Sequence, residues 1–122
     1  MSLTATEVFN KDNIFAASQV QPVVATAATV LSGEGVLKRG SVMGKVSSSG
    51  KLKLVNSSED DGSQHPYGIL ADDVDATSAD ATGVIFLTGE FNSDALIFDG
   101  TDTASTHESE ARKIGLFFKK NV

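Results

Sequence analysis

The stretch "GEGVLKRGSVMGKV", residues 33–46, holds the glycines on which the fold depends. Four glycines separate short apolar runs, and three basic side chains lie among them. Glycines in such a pattern either cradle a phosphate or let compact β-structure bend. The pieces "VLKR" and "SVMGKV" are typical of short strands on either side of Gly40, with turns at residues 33–35 and in "SSSGK". This pattern predicts a sharply bent β-corner.

A phosphate-binding loop is the alternative interpretation of these glycines. Gly35 and Gly40 have P-loop spacing, but Ser41 stands where the phosphate-binding lysine is required. Gly33 and Gly35 also lack the third glycine and the following helical pattern of a dinucleotide-binding fingerprint. The glycines are therefore predicted to serve the backbone, where a positive φ or a close approach excludes a side chain.

The segments around this corner are typical of short strands joined by polar loops. "VQPVVATAATVL" is rich in β-branched residues and predicts a first strand from Val20 onward. Further strands are predicted in "KLKLV", "YGIL", "VIFLTGEF", "NSDALIFDG" and "IGLFF". "VIFLTGEF" is apolar at nearly every position, which favours burial on both faces. One helix is predicted in "STHESEARK", with Ser105 at its N-cap and Glu108 completing a capping box.

Composition limits the class of protein. The chain has 122 residues, no Cys and a net charge of −6, which predicts one soluble domain without a disulfide framework or a Cys nucleophile. Binding to nucleic acid or to an anionic membrane is not expected, because both depend on clustered Lys and Arg. The apolar runs are too short to span a bilayer, and "MSLTATEVFN" lacks a secretory pattern. We expect the protein to stay in the cell where it is made until lysis.

Side chains that could carry chemistry follow no recognisable site motif. Two acidic clusters could offer oxygen ligands to Ca²⁺, although neither has EF-hand spacing. They are Glu59, Asp60 and Asp61, and Asp72, Asp73 and Asp75. His65 and His107 lie far apart without a supporting ligand motif, and no G-x-S-x-G elbow is present. Glu90 lies in an apolar setting and is either a raised-pKa acid or a surface carboxylate paired with a Lys. No catalytic, cofactor-binding or metal site is predicted.

Residues 1–19 sustain neither a helical nor a strand period, and we predict that they form a flexible arm before a domain of residues 20–122. The arm carries isolated apolar side chains that could act as anchors. They are Val8, Phe9, Ile14 and Phe15, with Glu7 beside the first pair. Such a segment either orders on a partner's sheet edge or folds back onto its own domain, and both alternatives remain open.

Two stretches together resemble the lambda-type head decoration protein D family of tailed phages. "VLKRGSVMGKV" followed by "GKLKLV" is similar to the family's entry into paired strands. In "EDDGSQHPYGILADDVDATSADATGVIFLTGEFNSDAL" the elements "DGSQ", "PYGIL", "DVDAT" and "TGEFN" fall in the family's order. The tail, residues 105–122, is similar as well, so the resemblance covers residues 20–122.

The resemblance implies a mainly β, β-clip-like single domain with one short C-terminal helix. It implies homotrimers at threefold positions on the outer surface of the expanded head, with the phage major capsid protein as partner. The protein would be cement, without catalysis, cofactor or small-molecule substrate, on the virion after assembly in the host cytoplasm. In the family the arm lies over the shell, so the implied capsid-binding residues are Glu7, Val8, Phe9, Ile14 and Phe15.

Two other functions remain open. A trimeric nucleotide hydrolase of the dUTPase type could use a similar scaffold, although its phosphate-binding motifs are not found in the sequence. A carbohydrate-binding module usually stacks sugars on aromatic rings, and this chain has one Tyr and no Trp. A nucleotide thermal-shift screen with Mg²⁺ would test the hydrolase.

Overall fold

A computed structural model describes residues 14–15 and 23–119 of the chain. The strands are β1 Ala25–Val30, β2 Gly35–Leu37, β3 Val42–Lys45, β4 Leu52–Leu54, β5 Pro66–Leu70, β6 Val74–Ala76, β7 Ala81–Phe86, β8 Gly89–Asn92 and β9 Leu116–Lys119. A 3-10 turn, Ser93–Ala95, and the helix α1, Ala104–Lys113, lie between β8 and β9. The prediction of a mainly β single domain with one short C-terminal helix is confirmed.

Five strands close into a barrel in the order β1, β4, β3, β5, β7. β1 and β7 pair antiparallel along their whole length, from Ala25 opposite Phe86 to Val30 opposite Ala81. β1 meets β4 at Val30 alone, which lies opposite Leu52. Apolar side chains that alternate along the strands fill the barrel interior. They share one core with side chains of the two-stranded sheet formed by β2 and β6, and this core consists of Val30, Leu37, Met43, Leu52, Leu70, Val74, Ala76 and Ile85.

A second core joins the barrel to a small sheet. β8 and β9 pair in parallel, from Gly89 opposite Leu116 to Asn92 opposite Lys119. α1 packs against β9 and buries His107 and Ala111. Too short to be stable alone, α1 depends on this packing. The core consists of Ile14, Val42, Val55, Ile69, Phe91, Ala111, Leu116 and Phe118.

The predicted β-corner is present, and its glycines serve the backbone. Gly33 and Gly40 have φ angles of +94° and +98°, in the left-handed region that favours glycine. A Cβ at Gly40 would lie 2.8 Å from the carbonyl oxygen of Ala95 and 2.9 Å from Cδ1 of Ile14. Gly40 therefore lets the corner approach the segment that contains Ile14.

Two strand predictions and one loop assignment need correction. "VIFLTGEF" is not one strand, because the chain turns at Leu87 and Thr88, and β7 alternates in burial, with Val84 40% exposed. "NSDALIFDG" is not a strand, because Ser93–Ala95 form the 3-10 turn, where the Asn92 side chain accepts the backbone N–H of Asp94 at 3.1 Å. Ile97, further along this stretch, makes only an isolated parallel bridge with Ser41. The acidic segment "ADDVDATSADATG", residues 71–83, has the composition of a polar loop, but it contains β6, which pairs with β2.

The N-cap of α1 also differs from the prediction. Thr103, and not Ser105, occupies the N-cap, and its backbone N–H donates to Oγ1 of Thr106 at 3.1 Å. Thr103 offers the same hydroxyl chemistry as Ser105 one half-turn earlier, so the helix begins sooner. Within the described residues, no helix has the length and apolar character needed to cross a membrane.

Candidate functional site

The base of the predicted arm, Ile14 and Phe15, lies beside β8 in the small sheet. Phe15 forms an antiparallel bridge with Phe91, and the backbone N–H of Asn92 donates to the carbonyl oxygen of Ile14 at 2.8 Å. On the other flank of β8, Lys119 lies opposite Asn92. The segment that precedes Ile14 and the segment that follows Lys119 therefore attach at the same end of this sheet.

The side chains of Ile14 and Phe15 pack into their own domain. Ile14 is 2% exposed, and Phe15 is partly buried. The Phe15 ring centroid lies 5.2 Å from that of Phe86 and 5.3 Å from that of Phe91. The Arg39 guanidinium lies 6.0 Å from the Phe15 ring centroid and 5.7 Å from that of Phe86, close enough for cation–π attraction. This aromatic cluster fixes the base of the arm.

The predicted capsid-binding residues thus fall into two groups. Ile14 and Phe15 fold back onto the domain, which is one of the two alternatives left open by the sequence, and their burial makes them anchors of the arm. Glu7, Val8 and Phe9 lie outside the described residues. Ile14 belongs to the core although it lies in the range 1–19, and the division of the chain at residue 19 stays a prediction.

The outer face of the small sheet carries a charge pair and an exposed aromatic ring. Nζ of Lys119 lies 3.0 Å from Oε1 of Glu90, so Glu90 is a surface carboxylate paired with a Lys. Phe117, opposite Glu90, is 42% exposed. Together with Glu108 and Arg112 of α1, Phe117 lines a groove of about 290 Å³ beside β9. The groove lies in the sheet to which the arm is anchored.

Comparison with known proteins gives one clear similarity. The family model described as "Bacteriophage lambda head decoration protein D" matches residues 4–114. The chain belongs to the bacteriophage lambda head decoration protein D family. This confirms the resemblance seen in the sequence and makes the protein a structural component of the phage head that decorates the capsid. A search of curated proteins finds no match.

Membership in the decoration protein D family bears on the arm, since the match begins at residue 4. The matched range therefore contains Glu7, Val8 and Phe9 as well as the anchored pair. It ends at residue 114, before β9, so the exposed Phe117 and the Lys119 pair lie beyond it.

The first acidic cluster stabilises a loop. Oδ1 of Asp61 accepts the backbone N–H of Ser63 at 3.0 Å and its hydroxyl at 2.5 Å, and Nζ of Lys53 lies 3.4 Å from Oδ2. The hydrogen bonds from Ser63, aided by the Lys53 charge, lower the pKa of Asp61 to about 2. A carboxylate used in this way closes its own turn.

The second acidic cluster is also engaged in local structure. Oδ1 of Asp73 accepts the backbone N–H of Arg39 at 2.8 Å, and Oδ1 of Asp75 accepts both the N–H and the hydroxyl of Thr77. These bonds lower the pKa of Asp75. Across residues 14–15 and 23–119, no three His, Cys, Asp or Glu side chains are grouped so that they could hold a metal ion.

A buried polar pair was not anticipated from the sequence. Nε2 of His107 lies 2.8 Å from Oδ2 of Asp102, which also accepts the backbone N–H of Ser57 at 2.7 Å, while Oδ1 accepts the Ser57 hydroxyl at 2.7 Å. Burial raises the pKa of Asp102, but the hydrogen bonds from Ser57 and His107 outweigh it, so the net shift is downward. The pair ties the start of α1 to the loop after β4. His65 instead pairs at the surface with Glu110, 2.6 Å away.

Proposed function

We propose that this decoration protein is a cement that binds as homotrimers on the outer surface of the expanded head, at threefold positions, and stabilises the head. The observation that carries the proposal is the anchored base of the arm. Ile14 and Phe15 are held in the domain, so residues 1–13 begin from a fixed point at the end of the small sheet. Membership in a head decoration family supplies the partner's class, the phage capsid.

The contact with the phage major capsid protein is assigned to the arm ahead of this anchor. Glu7, Val8 and Phe9 supply the capsid-binding side chains, and Ile14 and Phe15 position them. A segment with isolated apolar side chains can order by adding to a sheet edge of the shell, where backbone hydrogen bonds give affinity and side-chain pockets give specificity.

Binding of this kind stabilises the expanded shell by mass action. A ligand that binds the expanded shell and not the ruptured one contributes about 2.7 kcal/mol per site at a hundredfold excess over Kd. Three arms on one trimer add avidity, because the second and third contacts are intramolecular. The role involves no catalysis, cofactor, small-molecule substrate, nucleic acid or membrane.

Co-sedimentation with phage heads tests the proposal. Purified protein is mixed with expanded and with unexpanded heads of the phage that encodes it, at a fixed salt concentration. The full-length protein should bind expanded heads saturably, in a stoichiometry of three copies per threefold position, and should raise the temperature at which the heads rupture. Absence of binding to either form of head would refute the function, and the nucleotide screen would follow.

A truncation places the contact. The deletion should end at residue 13, because a longer one removes Ile14 from the core and confuses loss of binding with loss of folding. The chain lacking residues 1–13 should keep the unfolding midpoint of the full-length protein and lose head binding. Unchanged head binding by this chain would remove the arm from the mechanism.

A further inference from the structure

The first half of β1 is exposed on both of its faces. Ala25, Thr26 and Ala27 are consecutive and all exposed, whereas a strand covered on one side exposes only alternate residues. One edge of this half pairs with β7. Along the other edge the described residues provide no neighbouring strand, because β4 joins β1 only at Val30. An unpaired strand edge is a template for pairing with another chain.

This edge lacks the features by which monomeric proteins protect such strands. β1 has no charged side chain and no Pro, and charge, Pro and bulges are the usual protection. The adjoining outer face continues onto β7, where Val84, 40% exposed, lies opposite Ala27. β7 has no charged side chain either, although 21% of the whole chain is charged.

Charged groups lie at the two ends of this neutral surface. Nζ of Lys51 lies 2.6 Å from Oδ2 of Asp80, next to the end where Ala81 pairs with Val30. At the other end, Arg39 covers the ring of Phe86. A centre depleted of charge and a polar rim are the anatomy of a protein–protein interface.

We propose that the free edge of β1, with the face shared by Ala27 and Val84, is the contact between copies of this chain. The inference rests on the homotrimer of the proposed function and adds the surface through which the trimer forms. Three copies around a threefold axis meet head to tail, so the β1 edge of one copy meets the neutral face of the next.

The absence of charge on this surface permits a second copy as occupant, and the position of the surface favours a second copy over the shell protein. Each copy carries a net charge of −6, so two copies repel one another except where a neutral surface lets them approach. The backbone N–H of Leu87 donates to the carbonyl oxygen of Val24, which places the start of β1 near Gly89, at the opposite end of β8 from Asn92. The arm, which we assign to the shell, begins at the Asn92 end.

Photocrosslinking on heads tests the assignment. The natural chain contains no Cys, so a single introduced thiol can be labelled without competition. Ala27→Cys is labelled with a photoactivatable maleimide, bound to expanded heads and irradiated, and the products are identified by mass spectrometry. Val36→Cys is the matched control, because Val36 is 57% exposed and lies on β2, which pairs with β6 in a separate sheet and not with β1 or β7. Ala27→Cys should yield adducts between two copies of this chain, and Val36→Cys should not.

Other crosslinking results would contradict the proposed contact between copies. Adducts of Ala27→Cys with the shell protein would assign the β1 edge to the shell contact. Equal yields of copy-to-copy product from Ala27→Cys and Val36→Cys, or no product from Ala27→Cys, would also overturn it. Irradiation of concentrated labelled protein without heads separates the two proposals. If the labelled protein gives copy-to-copy product without heads, and the unlabelled protein does not bind heads, the interface is supported and the proposed function is refuted.

A charge placed on the face gives an independent readout. Val84→Glu should abolish the copy-to-copy product of Ala27→Cys and lower apparent affinity for expanded heads by at least on the order of tenfold, because single arms then bind without avidity. Val36→Glu adds the same charge at a more exposed valine and should change neither quantity. Unchanged head affinity and copy-to-copy product in Val84→Glu would contradict the proposed contact.

Discussion

Asn92 and Ile14 are joined by a backbone hydrogen bond of 2.8 Å that attaches the segment ahead of Ile14 to β8. The Ile14 side chain is buried in the core shared by the barrel and the small sheet. The hydrogen bond and the burial together give residues 1–13 a fixed origin. A tethered segment with a fixed origin has a higher effective concentration at a nearby site than one attached through a long linker.

Ile14 and Phe9 should therefore respond differently to truncation of their side chains. Ile14→Ala should lower the free energy of unfolding by about 2–5 kcal/mol, the usual cost of cutting a buried Ile to Ala. Phe9→Ala should leave stability within about 0.5 kcal/mol and weaken head binding. Urea unfolding and head co-sedimentation measure the two effects. Equal stability of Ile14→Ala and the natural protein would show that Ile14 is not anchored.

The β-corner offers a matched pair of glycines. Gly33→Ala meets no atom within 4 Å, so it should cost only the left-handed backbone strain, about 1–2 kcal/mol. Gly40→Ala has nearly the same φ but meets Ala95 and Ile14, which should add about 1–3 kcal/mol of overpacking. Chemical denaturation of both variants gives the difference. A Gly40→Ala variant no less stable than Gly33→Ala would refute the close approach to Ile14.

Acid should weaken the loop closed by Asp61. Hydrogen bonding from Ser63 lowers the pKa of Asp61 from 3.8 to about 2 on folding, so its contribution to stability is complete above about pH 4. That contribution is lost as the pH falls towards 2, where the folded-state carboxylate takes up its proton. Asp61→Asn should show a shallower fall in urea midpoint between pH 4 and pH 2, whereas Asp60→Asn, at an exposed neighbour, should follow the natural protein. Parallel curves for Asp61→Asn and the natural protein would contradict this role.

Two carboxylate–histidine pairs differ in burial, so removing the carboxylate should lower the free energy of unfolding more in the buried pair than in the exposed one. Asp102→Ala leaves buried His107 and the backbone N–H of Ser57 without their acceptor, so it should destabilise the fold by about 3–5 kcal/mol. Glu110→Ala removes the exposed partner of His65 and should cost at most about 1 kcal/mol. Thermal unfolding at neutral pH compares them. A similar loss of stability in Asp102→Ala and Glu110→Ala would show that burial does not make the Asp102–His107 pair more important for stability.

Features set by local sequence were predictable. The β-corner follows from glycine spacing, α1 from its polar helical segment, and β9 from the short apolar run "IGLFF". Each of these depends on residues within a few positions of one another, where turn chemistry and periodicity act. The family resemblance rested on the order of several such local motifs.

Features set by distant partners were not predictable. "VIFLTGEF" breaks because β7 pairs with β1 while β8 pairs with β9, and neither partner is near in sequence. Ile14 and Phe15 look like free apolar anchors until Phe91 and Asn92 are placed beside them. Likewise nothing near His107 in the sequence indicates that Asp102 also binds Ser57.

The bridge between Phe15 and Phe91 has a consequence for biosynthesis. Phe15 is made early, but its partner strand β8 emerges late, and the barrel cannot close until β7 has followed β1. Pairings between such distant segments slow folding. A nascent or prematurely ended chain without β8 cannot hold the base of the arm. Only subunits translated through β8 can give residues 1–13 a fixed origin, which the proposed contact between the arm and the shell requires.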